Sequence, residues 1–267
     1  MRAHLILVLT LASADAAAKC RECVCMGYLT AMRDPDPTDV ALNARFRTGY
    51  VPDPAKKERF VLRAVGGPPL AVSEAPMRID TYDTLVLTPA SPLAKNTEYE
   101  LVLVRGELTL PYYKVKTTDG TDGSAPIWEG DLEARYQPPD GCTVGCQERR
   151  GARITITAPV PKDDRSGADL VGVWITSGAS PDYEKPASAY LGIRQRDEGP
   201  GALFGGGGPQ VTLVLGGEGP CHRSALNLPA GARQLRLGMK VIDRAGNASQ
   251  PRELLVKIPG GVKKPAW

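Results

Sequence analysis

Histidine is nearly missing from this sequence: there are two in 267 residues, His4 and His222. Chemistry built on imidazole therefore has at most one residue left once the N-terminal segment holding His4 is set aside. His222 lies in "CHRS", where spacing alone gives no productive pairing with Ser224, and no Gly-x-Ser-x-Gly elbow occurs in the chain. Dense Lys/Arg blocks are missing too. With 33 basic and 30 acidic residues the formal charge is +3, too small and too dispersed for a nucleic-acid footprint. No apolar run reaches the roughly 20 residues that a membrane-spanning helix needs. A sustained 3.6-residue apolar repeat is absent as well, which excludes a helical architecture.

What is present begins with "MRAHLILVLTLASADAAAKC". Arg2, the apolar stretch from Leu5 to Ala12, and the small-residue sites Ala14-Asp15-Ala16 or Ala16-Ala17-Ala18 have the form of an export signal, residues 1–18. Anchoring through a lipid on Cys20 is the weaker reading, because Lys19 stands where a small or apolar residue is expected. Outside the cytosol thiols oxidise, so Cys20, Cys23, Cys25, Cys142, Cys146 and Cys221 are read as disulfide partners. The cysteine-rich tail, residues 19–33, lacks the second matching pair or nearby histidine that a zinc site requires.

Beyond the tail the apolar residues alternate. In "DVALNARFRTGY" Val40, Leu42, Ala44 and Phe46 share one face, and in "NTEYELVLV" Tyr99, Leu101 and Leu103 share another. "RFVLRAV", "MRIDTY", "DTLVLTP" and "LPYYKVKTT" are further strand candidates. "TTDGTDGSAP" then breaks the pattern with two Asp-Gly pairs and a proline, the best linker in the chain. Seven more candidates follow: "LEARYQ", "ARITITAPV", "DLVGVWIT", "ASAYLGIRQ", "QVTLVLGG", "RQLRLGMKVID" and "RELLVKIP". In "LRLGMKV" Leu235, Leu237, Met239 and Val241 point one way while Arg236, Gly238 and Lys240 point the other. The expected fold class is all-β: two tandem antiparallel sandwiches. Their expected bounds are 34–120 and 131–260, with a linker at 121–130 and a tail at 261–267. Trp174, in the third strand of the second sandwich, is expected to be a large core aromatic.

"DPDPTDVALNARFRTGY", "LVLTPASPLAKNTEYELVLV" and "KVKTTDGTD" together resemble bacterial Ig-like domains of the surface-layer type, over about residues 34–122. "KVIDRAGNASQP" is similar to the late strands of fibronectin type III and related Ig-like modules. The resemblance implies exported envelope proteins with β-sandwich modules. It gives Tyr99 a tyrosine-corner role, its hydroxyl reaching backbone a few residues upstream, with Asn96 in a turn at φ > 0. The second half carries Leu235, not tyrosine, near the matching position. Gly246 and Asn247 make the tight turn between the last two strands, with Asp243 placed to bond turn amides. In an Ig-type sandwich the loops holding Cys142, Cys146 and Cys221 lie at one end, so Cys221 pairs with one of the other two, a bond worth about 4 kcal/mol. The remaining pairing stays open.

The sites that suggest chemistry have plainer readings. "GPGALFGGGGPQ" lacks the Lys-Ser/Thr and helix of a phosphate loop and is an inter-strand loop, with Phe204 tucked back onto the sandwich. Asn247 heads a formal glycosylation sequon, "NAS". Asp119, Asp122, Glu129 and Asp131 near the linker are candidates for calcium between the two modules, although turn formation explains the same aspartates. No acidic residue is expected to sit in surroundings that raise its pKa. The sequence thus points to an exported, non-catalytic envelope or surface module for interaction, adhesion or structure, without cofactor and without nucleic acid. Its partner is an envelope protein or glycan. The alternative is an accessory or catalytic domain acting on envelope polysaccharide or peptide through acidic loop residues.

Overall fold

The computed structural model describes residues 39–49, 51–79, 82–139, 150–165, 167–193, 210–218, 226 and 228–263. The signal segment, all six cysteines, both histidines, Ser224 and Phe204 lie outside them. Among the described residues the one helical element is a 3₁₀ turn, Pro54–Lys56, and the protein is otherwise strands and loops.

The first seven strands are β1 (Asp39–Val40), β2 (Phe46–Arg47), β3 (Glu58–Ala64), β4 (Val72–Ile79), β5 (Tyr82–Pro89), β6 (Glu98–Arg105) and β7 (Leu108–Thr117). They form a sheet ordered β1-β7-β6-β3 and a facing layer ordered β4-β5-β2. Alternation sets the inward row: Phe60 and Leu62 of β3, Leu101 and Leu103 of β6 and Val115 of β7 pack against Phe46 of β2 and Leu85 and Leu87 of β5. "DVALNARFRTGY" is two short strands instead of one. A turn at 42–43, closed by the Ala44 amide donating to the Ala41 carbonyl at 3.1 Å, lets β1 pair with β7 while β2 crosses to β5. Val40, Ala44 and Phe46 are buried as the alternation predicts, but the turn buries Ala41 and leaves Leu42 half-buried, so the period breaks at the bend. "MRIDTY" spans the end of β4 and the start of β5, and the earlier part of β4 went undetected because residues 73–76 are all exposed and show no alternation.

The second seven strands are β8 (Glu133–Gln137), β9 (Arg150–Pro159), β10 (Ala168–Thr176), β11 (Ala189–Gly192), β12 (Gln210–Glu218), β13 (Gln234–Asp243) and β14 (Arg252–Lys257). The sheet β12-β9-β8 stacks on β14-β13-β10-β11. Between them lie Ile154, Ile156, Leu213 and Leu215 from one layer and Val171, Val173, Leu237 and Met239 from the other, all at most 1% exposed. Each such side chain contributes about 1.5–3 kcal/mol by leaving water. Trp128, 6% exposed, closes this core from the connecting segment, its indole N–H donating to the Pro159 carbonyl at 2.9 Å.

Trp174 corrects the sequence expectation. Val171 and Val173 take the inward positions of β10, so Trp174 stands on the outer face. There it meets Tyr183 edge-on at 5.2 Å, donates to the Lys185 carbonyl at 2.8 Å, and has the Lys240 ammonium 5.8 Å from its ring centre. Gly238 provides the space: a Cβ there would lie 2.4 Å from the Tyr183 hydroxyl.

The fourth strands behave differently in the two halves. β4 pairs with β5, on the layer of the second strand, whereas β11 pairs with β10, on the layer of the third. Their edges then meet, Tyr190 opposite Ile79 in parallel, so that β14-β13-β10-β11-β4-β5-β2 is one seven-stranded sheet running through both halves.

Candidate metal centre

The segment joining β7 to β8 is secured on both sides. Toward the first half, the Thr118 amide donates to the Val40 carbonyl at 2.9 Å and the Leu42 amide to the Gly120 carbonyl at 3.0 Å. Asn43 then clasps Asp122: its side-chain amide donates to the Asp122 carbonyl at 2.7 Å, and its oxygen accepts from the Asp122 amide at 2.8 Å. Toward the second half, Ile127 and Lys162 exchange both backbone bonds, at 2.8 and 2.9 Å. That exchange brings the loop after β9 alongside the segment, and with it Asp163.

The third component comes from β13. The inward row Leu235, Leu237, Met239, Val241 ends in Asp243, so strand parity delivers a carboxylate to the rim of the core. Its Oδ1 accepts from the Gly246 amide at 2.6 Å and the Asn247 amide at 2.8 Å, and its Oδ2 from the Asn247 side chain at 2.8 Å. Gly246 adopts φ +95°, and a Cβ there would strike the Arg45 guanidinium at 2.3 Å. Gly246 and Asn247 thus serve the turn and the contact between the halves together. The Arg45 amide also donates to the Arg244 carbonyl at 2.8 Å.

Asp122, Asp163 and Asp243 each present a carboxylate oxygen within 4.8 Å of the others. Asp122 is 2% and Asp243 3% exposed. Like charges at that separation repel by about 3 kcal/mol per pair at an effective dielectric of roughly 20. Burial, reinforced by the charges of Asp122 and Asp243, raises the pKa of Asp163 above the ordinary carboxylate value, with the nearby Gly167 amide opposing. Burial likewise raises Asp243, despite the bonds from Asn247 and Gly246. The expectation that no carboxylate is so placed is therefore overturned: the surroundings are assembled by three segments distant in sequence. The Asn247 side-chain amide also reaches the Asp122 carbonyl at 3.2 Å and, at 3.5 Å, the Asp122 Oδ1, where it offsets part of the charge. Among the described residues neither oxygen of Asp163 has a hydrogen-bond partner, although both are shut off from solvent.

Of the four calcium candidates, only Asp122 enters this cluster. Asp119, Glu129 and Asp131 are exposed and stand outside it. Asp163 and Asp243 were the residues missed. In the sequence Asp243 reads as a turn residue, and "KDDRSG" carries no signal beyond a polar loop. Elsewhere, the Tyr99 hydroxyl accepts from the Ala94 amide at 2.9 Å, and Asn96 has φ +51°.

A donor set of three carboxylates, without sulfur or imidazole, suits hard cations such as Ca²⁺ or Mg²⁺. It does not suit glycoside cleavage, since two of the three carboxylates are closed to a sugar ring.

No family model matches the chain, and no curated protein matches it. Among solved structures it is similar to a crystal structure of a chicken TCR, at 11% identity over 86% of this chain and 98% of that one, with a TM-score of 0.27. A likeness at that TM-score carries no argument about topology or function. Among the described residues no helix is long and apolar enough to cross a membrane.

Proposed function

We propose that this chain is an exported, non-catalytic β-sandwich protein of the cell envelope or surface, working as an interaction, adhesion or structural module. Two Ig-like or fibronectin III-like units, 34–120 and 131–260, form its body behind a cleaved signal. The observation that supports this reading is the continuous seven-stranded sheet with its connecting segment fastened to both halves. Such a body holds its end loops at a set spacing, which is what an extended binding or spacing element needs. The partner belongs to the envelope, a protein or a glycan. The alternative, catalysis on polysaccharide or peptide through acidic loop residues, needs convergent carboxylates in an open cleft, and the carboxylates that converge at the joint include the buried Asp122 and Asp243.

Expression of the full chain in a bacterial host, followed by fractionation and intact mass measurement, tests the export half. Loss of residues 1–16 or 1–18 and oxidised cysteines in the exported fraction are expected. Uncleaved protein with free thiols in the cytosol overturns it. Co-sedimentation of the mature protein with isolated envelopes tests the interaction half, and turnover of envelope polysaccharide or peptide by the purified protein would favour the enzymatic alternative.

A further inference from the structure

We infer that Asp122, Asp163 and Asp243 bind one calcium ion at the joint between the two sandwiches, and that the ion stiffens this joint. Two observations support the assignment independently. The first is convergence: three carboxylates, one from the connecting segment, one from the loop after β9 and one from the end of β13, point oxygens to a common place within 4.8 Å. Calcium bonds to oxygen at about 2.3–2.6 Å, so ligands on opposite sides of it stand about 4.6–5.2 Å apart. Magnesium demands near-ideal octahedral geometry and usually keeps several waters, so a cluster of three protein carboxylates suits calcium better. The second is the state of Asp163. Both of its oxygens are buried, each exposing less than 1 Å², and neither makes a well-formed hydrogen bond among the described residues, although the Gly167 amide lies close enough to favour the charge a little. A buried carboxylate is normally satisfied by donors or by a cation. Here its charged neighbours are other carboxylates, Asp122, Asp243 and Asp164.

The surrounding bonds leave this carboxylate available. Asp243 Oδ1 is taken by the turn amides, and Asp122 Oδ1 by the Ser124 amide at 3.0 Å. Those bonds aim the two carboxylates, while Asp163 brings two unused oxygens. Calcium takes six to eight oxygens, and water fills the positions the protein leaves. Because Asn43 of the first half holds Asp122 at its amide and carbonyl, an ion on Asp122 and on the two aspartates of the second half couples both halves through one atom. The inference stands whichever partner the loops meet, and it does not require that the protein be exported.

The test is calorimetric titration of the full purified chain with CaCl₂, together with melting in 10 mM CaCl₂, 10 mM MgCl₂ and EGTA. One ion per chain is expected, with a dissociation constant of about 0.1–1 mM, typical of extracellular modules. The melting temperature should rise by about 5 °C in calcium over EGTA, and by less in magnesium. Asp163→Asn should weaken binding at least tenfold while melting in EGTA no lower than the parent, since it removes a repulsive charge. The double variant Glu129→Gln/Asp131→Asn should bind as the parent does. Identical melting of the parent chain in calcium and EGTA, with no heat of binding, overturns the inference without touching the export test. An equal response to magnesium overturns the choice of ion. Loss of binding in the double variant but not in Asp163→Asn overturns the placement.

Discussion

The two halves of the molecule solve the same packing problem with different means. Among the described residues each has seven strands in two layers, but the first core holds twelve buried residues and the second eighteen. The smaller core relies on aromatics, with Phe46, Phe60 and Tyr99, and on polar ties within it. Thr117, 1% exposed, donates to the Ala94 carbonyl at 2.6 Å and accepts from the Thr97 amide at 2.9 Å, and Tyr99 ties to Ala94 beside it. Among the described residues the larger core buries one aromatic, Trp128, at its edge and is otherwise aliphatic with one methionine, with Tyr136 packed partly buried against it. A short core gains definition from specific bonds, whereas a long aliphatic one gains it from interdigitation. The contrast extends to the fourth strand, which joins opposite layers in the two halves and thereby lets their edges meet.

Truncating the cores gives the largest expected effects. Leu237→Ala and Leu101→Ala, at residues 0% and 1% exposed, should each cost about 2–5 kcal/mol. Because, among the described residues, the halves meet through a single-residue strand bridge, the Arg45–Arg244 backbone bond and a few side-chain bonds, calorimetry in EGTA should resolve two transitions, with Leu237→Ala lowering one and Leu101→Ala the other. A single transition lowered equally by both would erase the comparison. Tyr99→Phe comes next, at about 1–3 kcal/mol, because it leaves the Ala94 amide without its partner. It should shift the first-half transition alone, since Leu235 offers no such tie in the second.

Asn43→Ala removes both clasp bonds to Asp122, at about 1–2 kcal/mol. Limited proteolysis should then cut within residues 118–127 faster than in the parent chain. The smallest effect concerns the outer face of the second half. Burial and the Glu253 carboxylate, 3.3 Å from the phenol, push the Tyr183 pKa up to about 12. The protonated phenol is the form the fold favours, so this contribution is complete below pH 10 and is lost as the pH rises from 10 toward 12. Ultraviolet titration should show one tyrosine ionising late, and Glu253→Gln should bring it back toward 10.

Much of the architecture was legible because strand period and turn chemistry are local. Leu235, Leu237, Met239 and Val241 alternate so regularly that their burial follows from the pattern alone. Three features were not legible. Residues 73–76 of β4 are exposed throughout, so no period marks them. Trp174 was assigned by strand and residue type, but parity with Val171 and Val173 sends it outward, while Trp128 fills the core from a segment read as linker. The acidic joint depends on convergence. Asp122, Asp163 and Asp243 come from segments 41 and 80 residues apart, and each alone reads as a turn residue. The linker was identified by its Asp-Gly pairs, yet those pairs serve to dock it.

Docking of this segment ties the two halves together, and hydrogen–deuterium exchange across residues 118–127 tests it most directly. The Thr118, Asp122 and Ser124 amides, each bonded in the structure, should exchange much more slowly than in an unstructured peptide, and more slowly still in calcium than in EGTA. Exchange of all three at the free-peptide rate in both conditions would contradict it.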